Sequence, residues 1–147
     1  MKTSEDIKPV RAKVSAAVTT AATTYNGVAV GSAAGIDTRG KGVALAIIGL
    51  GAIATSGGAV YTFAASALSS NPAADIETIG DSVTVATADS NTDKFMSMEI
   101  SRMPAGKPYL YIKRVQATTD SVLDGIMVLL TDGKTQPAGI TLAVDLK

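Results

Sequence analysis

The chain has 147 residues, and its 13 basic and 13 acidic side chains cancel in net charge. This length suits one domain, and the neutral balance gives the whole chain no electrostatic attraction to nucleic acid or anionic lipid. The sequence contains neither histidine nor cysteine, which excludes Ser-His-Asp and Cys-His catalysis, thiolate metal sites and disulfides. We therefore expect a protein that is not an enzyme and that uses no cofactor and no metal.

The N-terminal part of the chain differs from the rest in composition. Residues 1–24 are basic at their start and then rich in Ala and Thr, without the alternation of a core strand. We predict that they form an extended arm that contacts a neighbouring protein, and that residues 25–147 form a single β-sandwich domain. A short helix from Ser4 and a plain tail are the alternatives. No apolar run precedes Lys41, so we expect no secretory signal peptide. The basic residues of the arm that we expect to make contacts are Lys8, Arg11 and Lys13.

The segment between Lys41 and Asp75 contains no charged residue. Its length would allow a membrane helix, since about 20 apolar residues are needed. The turn formers at 55–58, however, divide it into two pieces that are each too short to span a bilayer. We therefore predict no membrane insertion. We expect two strands, joined by the turn at 55–58, that fold back and pair with each other in water.

The same segment contains a weak match to a dinucleotide-binding motif. Gly49, Gly51 and Ala54 fit G-x-G-x-x-A after an apolar run. That motif requires a helix immediately afterwards, and the pair Gly57-Gly58 would interrupt such a helix after two turns. It also requires an acidic residue about 20 positions further on, where the chain has no acidic residue until Asp75. Nucleotide binding is therefore a minor alternative.

Period-two alternation of apolar and polar residues recurs along the chain, with turn signals between the runs. This pattern predicts an all-β fold, a jelly-roll-like antiparallel β-sandwich of about eight short strands. The candidate strands lie near 27–31, 42–49, 59–66, 75–79, 82–87, 95–102, 108–116, 123–131 and 139–146.

Residues 89–93 resemble the opening of a calcium-binding loop. Asp89, Asn91 and Asp93 fit the D-x-N-x-D pattern, in which alternate oxygen atoms converge on a hard cation. The fit fails further on, because Lys94 stands where the loop needs glycine and Ile100 where it needs a bidentate glutamate. We therefore predict a polar turn and not a metal site.

Pairs of carboxylates are a second candidate for chemistry. Asp75 with Glu77, or Asp120 with Asp124, could act as the acid and base of a glycosidase. Neither pair stands beside an aromatic platform for a sugar in the sequence. We rank hydrolysis below a structural role.

The basic and aromatic run YLYIKRV is a third candidate, for binding single-stranded nucleic acid. Alternation along a strand places Lys113 and Arg114 on opposite faces, so they cannot form one basic patch. We therefore predict no direct contact with nucleic acid.

The order of segments resembles small decoration (cement) proteins of tailed-bacteriophage heads. In that family an Ile-Asp-x-Arg-Gly entry leads into an apolar strand, a Gly-rich turn and a second strand, and a basic-aromatic strand follows later. The Trp-containing hairpin that is frequent in the family is missing. The residues that carry the resemblance are Ile36, Asp37, Arg39 and Gly40 at the entry, and Lys107, Tyr109, Leu110, Tyr111, Ile112 and Arg114 in the later strand.

The resemblance implies a structural virion protein, made in the host cytoplasm, that binds the outer surface of a capsid. Such proteins cement neighbouring capsomers, commonly as homotrimers, and their partner is the major capsid protein. The alternative is a non-enzymatic ligand- or glycan-binding β module of a phage tail or cell surface. The residues that we expect to contact the capsid or another subunit are Lys8, Arg11, Lys13, Arg39 and Lys41.

Overall fold

A computed structural model describes residues 7–13, 16–18, 23–55, 57–116 and 121–132, with the backbone alone for 7–13, 16–18, 121–124 and 132. Ten β-strands run through these residues. They are β1 Ile7–Lys13, β2 Ala16–Val18, β3 Thr23–Tyr25, β4 Ile36–Asp37, β5 Lys41–Ile53, β6 Gly58–Ser66, β7 Glu77–Ala86, β8 Asp93–Glu99, β9 Tyr109–Gln116 and β10 Ser121–Asp132. The connections include four short 3-10 helices, at Val30–Ser32, Pro72–Ala74, Thr87–Asp89 and Ile100–Arg102.

The strands form two antiparallel sheets. Sheet A has the order β1-β10-β5-β8, and sheet B has the order β3-β9-β6-β7. The short strands β2 and β4 add to β10 and β9, respectively. Apart from β2 and β4, each of the two facing sheets thus contains four strands, and the strand orders are those of a jelly roll. The predicted all-β, jelly-roll-like antiparallel β-sandwich is confirmed.

The hydrophobic core lies between the two sheets and follows the period-two pattern of the sequence. In β5, the side chains of Ala44, Ala46, Ile48 and Leu50 point inward and are buried, while their neighbours point outward. The strand β5 lies in the centre of sheet A, and β6 lies in the centre of sheet B. The segment between Lys41 and Asp75 is therefore free of charge because most of it belongs to two central strands. The other core side chains come from β8 and β10 of the same sheet and from β6 and β9 of the facing sheet. They include Met96, Met98, Val128, Leu130, Tyr61, Phe63, Leu110 and Ile112.

One expectation about this segment is wrong. The two strands joined by the turn at 55–58 do not pair with each other: β5 bonds to β10 and β8, and β6 bonds to β9 and β7. The chain crosses from one sheet to the other at this turn, as a jelly roll requires. Composition and periodicity identify a buried strand, but they do not identify its hydrogen-bonding neighbour.

Two predicted strands, near 75–79 and 82–87, form the single strand β7. Gly80 adopts a left-handed conformation (φ +73°). The register with β6 shifts there, since Thr62 pairs with Ser82 and the next residue, Phe63, pairs with Ile79. Gly80 and the residue that follows it thus form a bulge and not a hairpin turn.

The predictions at the two ends of the chain have different outcomes. The predicted strand near 27–31 is wrong, because these residues form a turn that leads into the 3-10 helix Val30–Ser32. The predicted strand near 139–146 lies outside the described residues. Within the predicted arm, β1 and β2 pair with β10 of the same chain. These residues therefore belong to sheet A, because an edge strand is held by backbone hydrogen bonds and needs no apolar alternation. The boundary at residue 24 stays a prediction.

A second, smaller apolar cluster covers the outer face of sheet B. It is formed by the buried residues Tyr25, Ala33, Ala64 and Tyr111, with partly buried neighbours such as Val28 and Val30. The rings of Tyr25 and Tyr111 meet edge to face, with their centroids 6.4 Å apart. Residues 26–35 thus form a cover that packs on this face.

The cover is attached by hydrogen bonds as well as by packing. The Asn26 side chain donates to Ala34 O (2.6 Å) and accepts from Ile112 N (2.8 Å). The Tyr111 hydroxyl donates to Leu68 O (2.7 Å). These bonds satisfy polar groups that would otherwise be buried without partners.

Candidate contact surface

Two of the five predicted contact residues, Arg39 and Lys41, lie in one tight turn between β4 and β5. Thr38 anchors the turn, because its buried hydroxyl donates to Pro108 O (2.8 Å). Lys41 N donates to Thr38 O (3.0 Å), and Gly40 is left-handed (φ +75°). A glycine at this position adopts a positive φ at no steric cost. The backbone of residues 38–41 is therefore fixed at the edge of the sandwich.

The guanidinium of Arg39 is held in place although it is exposed. Its Nε donates to both carboxylate oxygens of Asp37 (2.9 and 3.1 Å), and its Nη2 donates to Oδ2 (2.6 Å). It also lies over the ring of Tyr109, 5.7 Å from the centroid. The hydrogen bonds and charge of Asp37 raise the pKa of Arg39 above its usual value. An exposed ion pair adds little to the stability of the fold. The main effect of these contacts is that they hold the Arg39 guanidinium in one orientation.

An open groove of about 420 Å³ lies beside this turn. Its lining is largely apolar and includes Ile100 and Met103, and it also includes the cationic residues Arg39, Lys41 and Lys107. The residues that line it are Thr38, Arg39, Gly40, Lys41, Ile100, Met103, Pro104, Gly106, Lys107 and Pro108.

Lys107 is fixed on the rim by an ion-pair network. Its Nζ lies 3.1 Å from Asp75 Oδ1 and 3.5 Å from Glu77 Oε2, and it donates to Asp75 O (2.8 Å). Asp75 also accepts from the backbone N of Ala67 and from the hydroxyl of Ser66. The Ala67 N–H and the Lys107 ammonium lower the pKa of Asp75, and the bond to Asp75 raises the pKa of Lys107.

The carboxylates that the sequence suggested as a glycosidase pair, Asp75 and Glu77, thus both face one lysine. This lysine, Lys107, is 32 residues from Asp75 in the sequence. No local pattern could have revealed this network, because the pairing depends on how the loop before β9 packs against β7. The other suggested pair, Asp120 and Asp124, lies outside the residues whose side chains are described.

The remaining predicted contact residues lie in β1. The backbone of Lys8 is in register with Leu130, near the end of sheet A where the 38–41 turn begins β5. Arg11 and Lys13 follow along the same strand, in register with Met127 and Ile126. An extended chain rises about 3.3 Å per residue, so these two positions lie roughly 10 to 17 Å further along the sheet. The structure therefore brings Arg39 and Lys41 together and distributes the other three along an edge strand.

The other sequence motifs form structural parts of the fold. Asp89 Oδ1 lies 2.7 Å from Lys94 Nζ, so a lysine occupies the position that a cation would take in a calcium loop. Gly49 and Gly51 are part of β5, and no helix begins in the described residues between this strand and β6. In the part of the chain that the structure describes, no cluster of three acidic, histidine or cysteine residues could bind a metal ion.

The basic and aromatic strand β9 has one cation on each face. Arg114 is fully buried, and its Nη2 donates to Gln116 Oε1 (3.1 Å). It pairs across the sheet with Tyr61, which is also buried. Burial raises the pKa of Tyr61, and the charge of Arg114 partly opposes that shift. Lys113 lies on the outer face, so these two cations do not form one surface for bases, as alternation predicts.

Within the described residues, none of the helices is long and apolar enough to cross a membrane. No protein-family model matches the chain, and the search of curated proteins gives no match.

The fold is similar to that of proteins in particles of infectious bursal disease virus. One is from the T13 particle of that virus, with a TM-score of 0.50 and 9% sequence identity over 86% of this chain and 31% of the viral chain. Another is a mutant VP2 protein in derived T=1 particles, with a TM-score of 0.52 and 9% identity over 89% of this chain and 32% of the viral chain. At this identity the likeness shows the fold alone. The chain spans about a third of the length of both viral chains.

Proposed function

We propose that the chain is a structural virion protein that binds the outer surface of a tailed-phage capsid and cements neighbouring capsomers as a homotrimer. The observation that carries this proposal is the jelly-roll fold, which is shared over most of the chain with proteins of an icosahedral virus particle. The resemblance of residues 35–63 and 108–134 to phage decoration proteins supports the phage and cement parts of it. The protein would be made in the host cytoplasm and act on the outside of the capsid.

The 38–41 turn is the part of the surface that we assign to the major capsid protein. Nε and Nη2 of Arg39 bind Asp37, which leaves Nη1 for a carboxylate or carbonyl of the partner. Because the guanidinium is already oriented, it loses little side-chain entropy on binding. Each contact of this kind is weak. On a symmetric lattice, several copies of it act together through effective concentration.

The proposal requires no catalytic step, no cofactor and no contact with nucleic acid. This agrees with a sequence that has no histidine and no cysteine. Cementing requires a rigid domain that presents the same surface in every copy, and a jelly roll with two packed sheets provides one.

Cosedimentation with purified heads that lack this protein tests the proposal. We expect saturable binding in this assay. Capsids with the protein bound should release their DNA at a higher temperature than capsids without it. Native mass spectrometry of the purified chain should show a trimer. Arg39→Glu should weaken binding, and Lys113→Glu, on the outer face of sheet B, should not. Failure of the folded wild-type chain to bind heads would contradict the proposal. Binding to an immobilised glycan panel instead would favour the glycan-binding alternative.

A further inference from the structure

The outer face of sheet A carries an apolar strip along β5 and β10, which extends onto β8 at Phe95, while Ser97 and Glu99 of β8 lie beside Leu45 and Val43. Ile47 of β5 is in register with Phe95 of β8 and with Met127 of β10. Two residues along, Leu45 is in register with Leu129. Phe95 keeps 43% of its surface exposed, and Met127 keeps 38%. We name this the sheet A patch, and its residues are Val43, Leu45, Ile47, Phe95, Met127 and Leu129.

The other sheet shows how this chain treats an apolar outer face. Residues 26–35 cover the part of the outer face of sheet B around Ala64 and Tyr111, and these two residues are completely buried. A patch that stays in water gives up the favourable free energy of burying its apolar surface. Large apolar patches on soluble proteins usually mark a contact. The question is which segment or partner covers the sheet A patch.

Residues 139–146 have the complementary pattern. They follow β10 in the sequence and alternate, with one apolar face and a second face formed by Thr141, Ala143 and Asp145. The apolar face needs an apolar surface, and the nearest one along the chain is the sheet A patch. Its four residues are Ile140, Leu142, Val144 and Leu146.

We propose that residues 139–146 lie across the outer face of sheet A of the same chain, with this apolar face against the sheet A patch. The proposal rests on the exposed patch and the sequence pattern, and not on the virion function. It makes the C-terminal segment the counterpart of the cover on sheet B.

The available chain length allows this path. Asp132 at the end of β10 pairs with Lys41, so the segment begins beside the first row of the patch. A layer on a sheet lies about 10 Å above it. Residues 133–138 can span up to about 20 Å when extended. Gly133 and the sequence Pro137-Ala138-Gly139 supply the turn residues that a reversal of direction needs.

The spacing of side chains also matches. Same-face residues of an extended chain are about 6.6 to 6.8 Å apart, which is also the distance between successive rows of the patch. Gly49 and Gly125 pair in the row beyond Ile47 and Met127. The two glycines have no side chains, so this part of the row, beside Asp93 of β8, leaves room for a large residue from the segment.

A spin label tests the position of the segment directly. Because the chain has no cysteine, Asp145→Cys gives one attachment point for a nitroxide, on the polar face of the segment. The labelled, isotope-enriched chain is refolded in an excess of unlabelled wild-type chain. We expect broadening of the amide signals of Leu45, Ile47 and Met127, and sharp signals for Lys113 on sheet B. Sharp signals for all of the patch residues would overturn the proposal.

A mixed sample separates this chain from a second copy. Here the nitroxide is on one chain and the isotope label on another, and the two are refolded together. Broadening of the patch only in this mixed sample would show that a second copy supplies the segment, and the proposal would be wrong.

Two substitutions make the test specific to the apolar face. Leu142→Asp should abolish the broadening while the signals of the sandwich core stay in place, because a charge cannot be buried on the patch. Thr141→Asp, on the polar face, should leave the broadening unchanged. Equal effects of both substitutions would contradict the predicted orientation. The spin-label result without substitution stands even if Leu142→Asp fails to fold.

Discussion

The outer faces of the two sheets differ in how far the described residues bury them. On sheet B, residues 26–35 pack over the face, and Tyr111 is fully buried beneath them. On sheet A, Phe95 and Met127 retain more than a third of their surface exposure. Both faces carry apolar residues at alternate positions. A sheet with two apolar faces therefore indicates a third layer of the fold. On sheet B this layer is residues 26–35, a segment that is not a strand.

The largest contrast is expected from truncating one aromatic residue on each face. Tyr111→Ala removes a fully buried ring and should cost about 3 to 5 kcal/mol in the free energy of unfolding. Phe95→Ala, on the sheet A patch, should cost less, about 1 to 2 kcal/mol, because its ring lies outside the core between the sheets and would be covered only by the proposed C-terminal segment. Urea denaturation of both variants measures the difference. Equal costs would mean that the two faces are equally buried and would remove the contrast.

A backbone position within the cover should show a smaller effect. A Cβ at Gly35 would lie 2.7 Å from Tyr109 Cβ and 2.7 Å from the Tyr111 hydroxyl oxygen. Gly35→Ala should therefore destabilise the protein by about 1 to 3 kcal/mol through overpacking. Gly31→Ala is the matched control, because nothing lies within 4 Å of a Cβ built there. Its midpoint in thermal or urea unfolding should stay close to that of the wild type.

Removing only the hydroxyl of the buried tyrosine sharpens the comparison further. Tyr111→Phe keeps the ring but loses the hydrogen bond to Leu68 O. The expected cost is about 0.5 to 1.5 kcal/mol. A cost as large as that of Tyr111→Ala would show that the hydrogen bond, and not the packing of the cover, holds this face together.

The smallest effect concerns pH. The folded structure lowers the pKa of Asp75 below its ordinary value of 3.8, through the Ala67 N–H and the Lys107 ammonium. A lowered pKa gives stability that is present above the unfolded value and is lost as the pH falls through the folded value. Stability should therefore decrease below about pH 4. Asp75→Asn should reduce this acid-dependent part in urea unfolding measured from neutral to acidic pH. An unchanged pH dependence would contradict the assignment.

The sequence predicts the sandwich because alternation reports burial strand by strand. The inward residues of β5 and β8, such as Ile48 and Met96, stand at the positions where the pattern places them. The pattern does not report which strands are neighbours. For that reason the expected pairing of β5 with β6 is wrong, and the two strands predicted near 75–79 and 82–87 are one strand with a bulge at Gly80.

The candidate surface is predictable only in part. The Asp37-x-Arg39-Gly40 motif identifies a fixed cation because its residues are adjacent in sequence. Lys107 is fixed by Asp75, and that contact depends on tertiary packing, so no local pattern reveals it. The apolar run at 27–31 has the composition of a strand but forms a turn and a 3-10 helix on sheet B. Its packing against the outer face of the sheet overrides its local preference for a strand.

The pairing of β1 with β10 has a consequence for biosynthesis. These strands stand near opposite ends of the described sequence, so sheet A stays incomplete on the ribosome until β10 has emerged. Folds dominated by such distant contacts form in milliseconds to seconds, more slowly than helical bundles. During that delay the nascent polypeptide exposes unpaired strand edges, which are the usual starting points of aggregation.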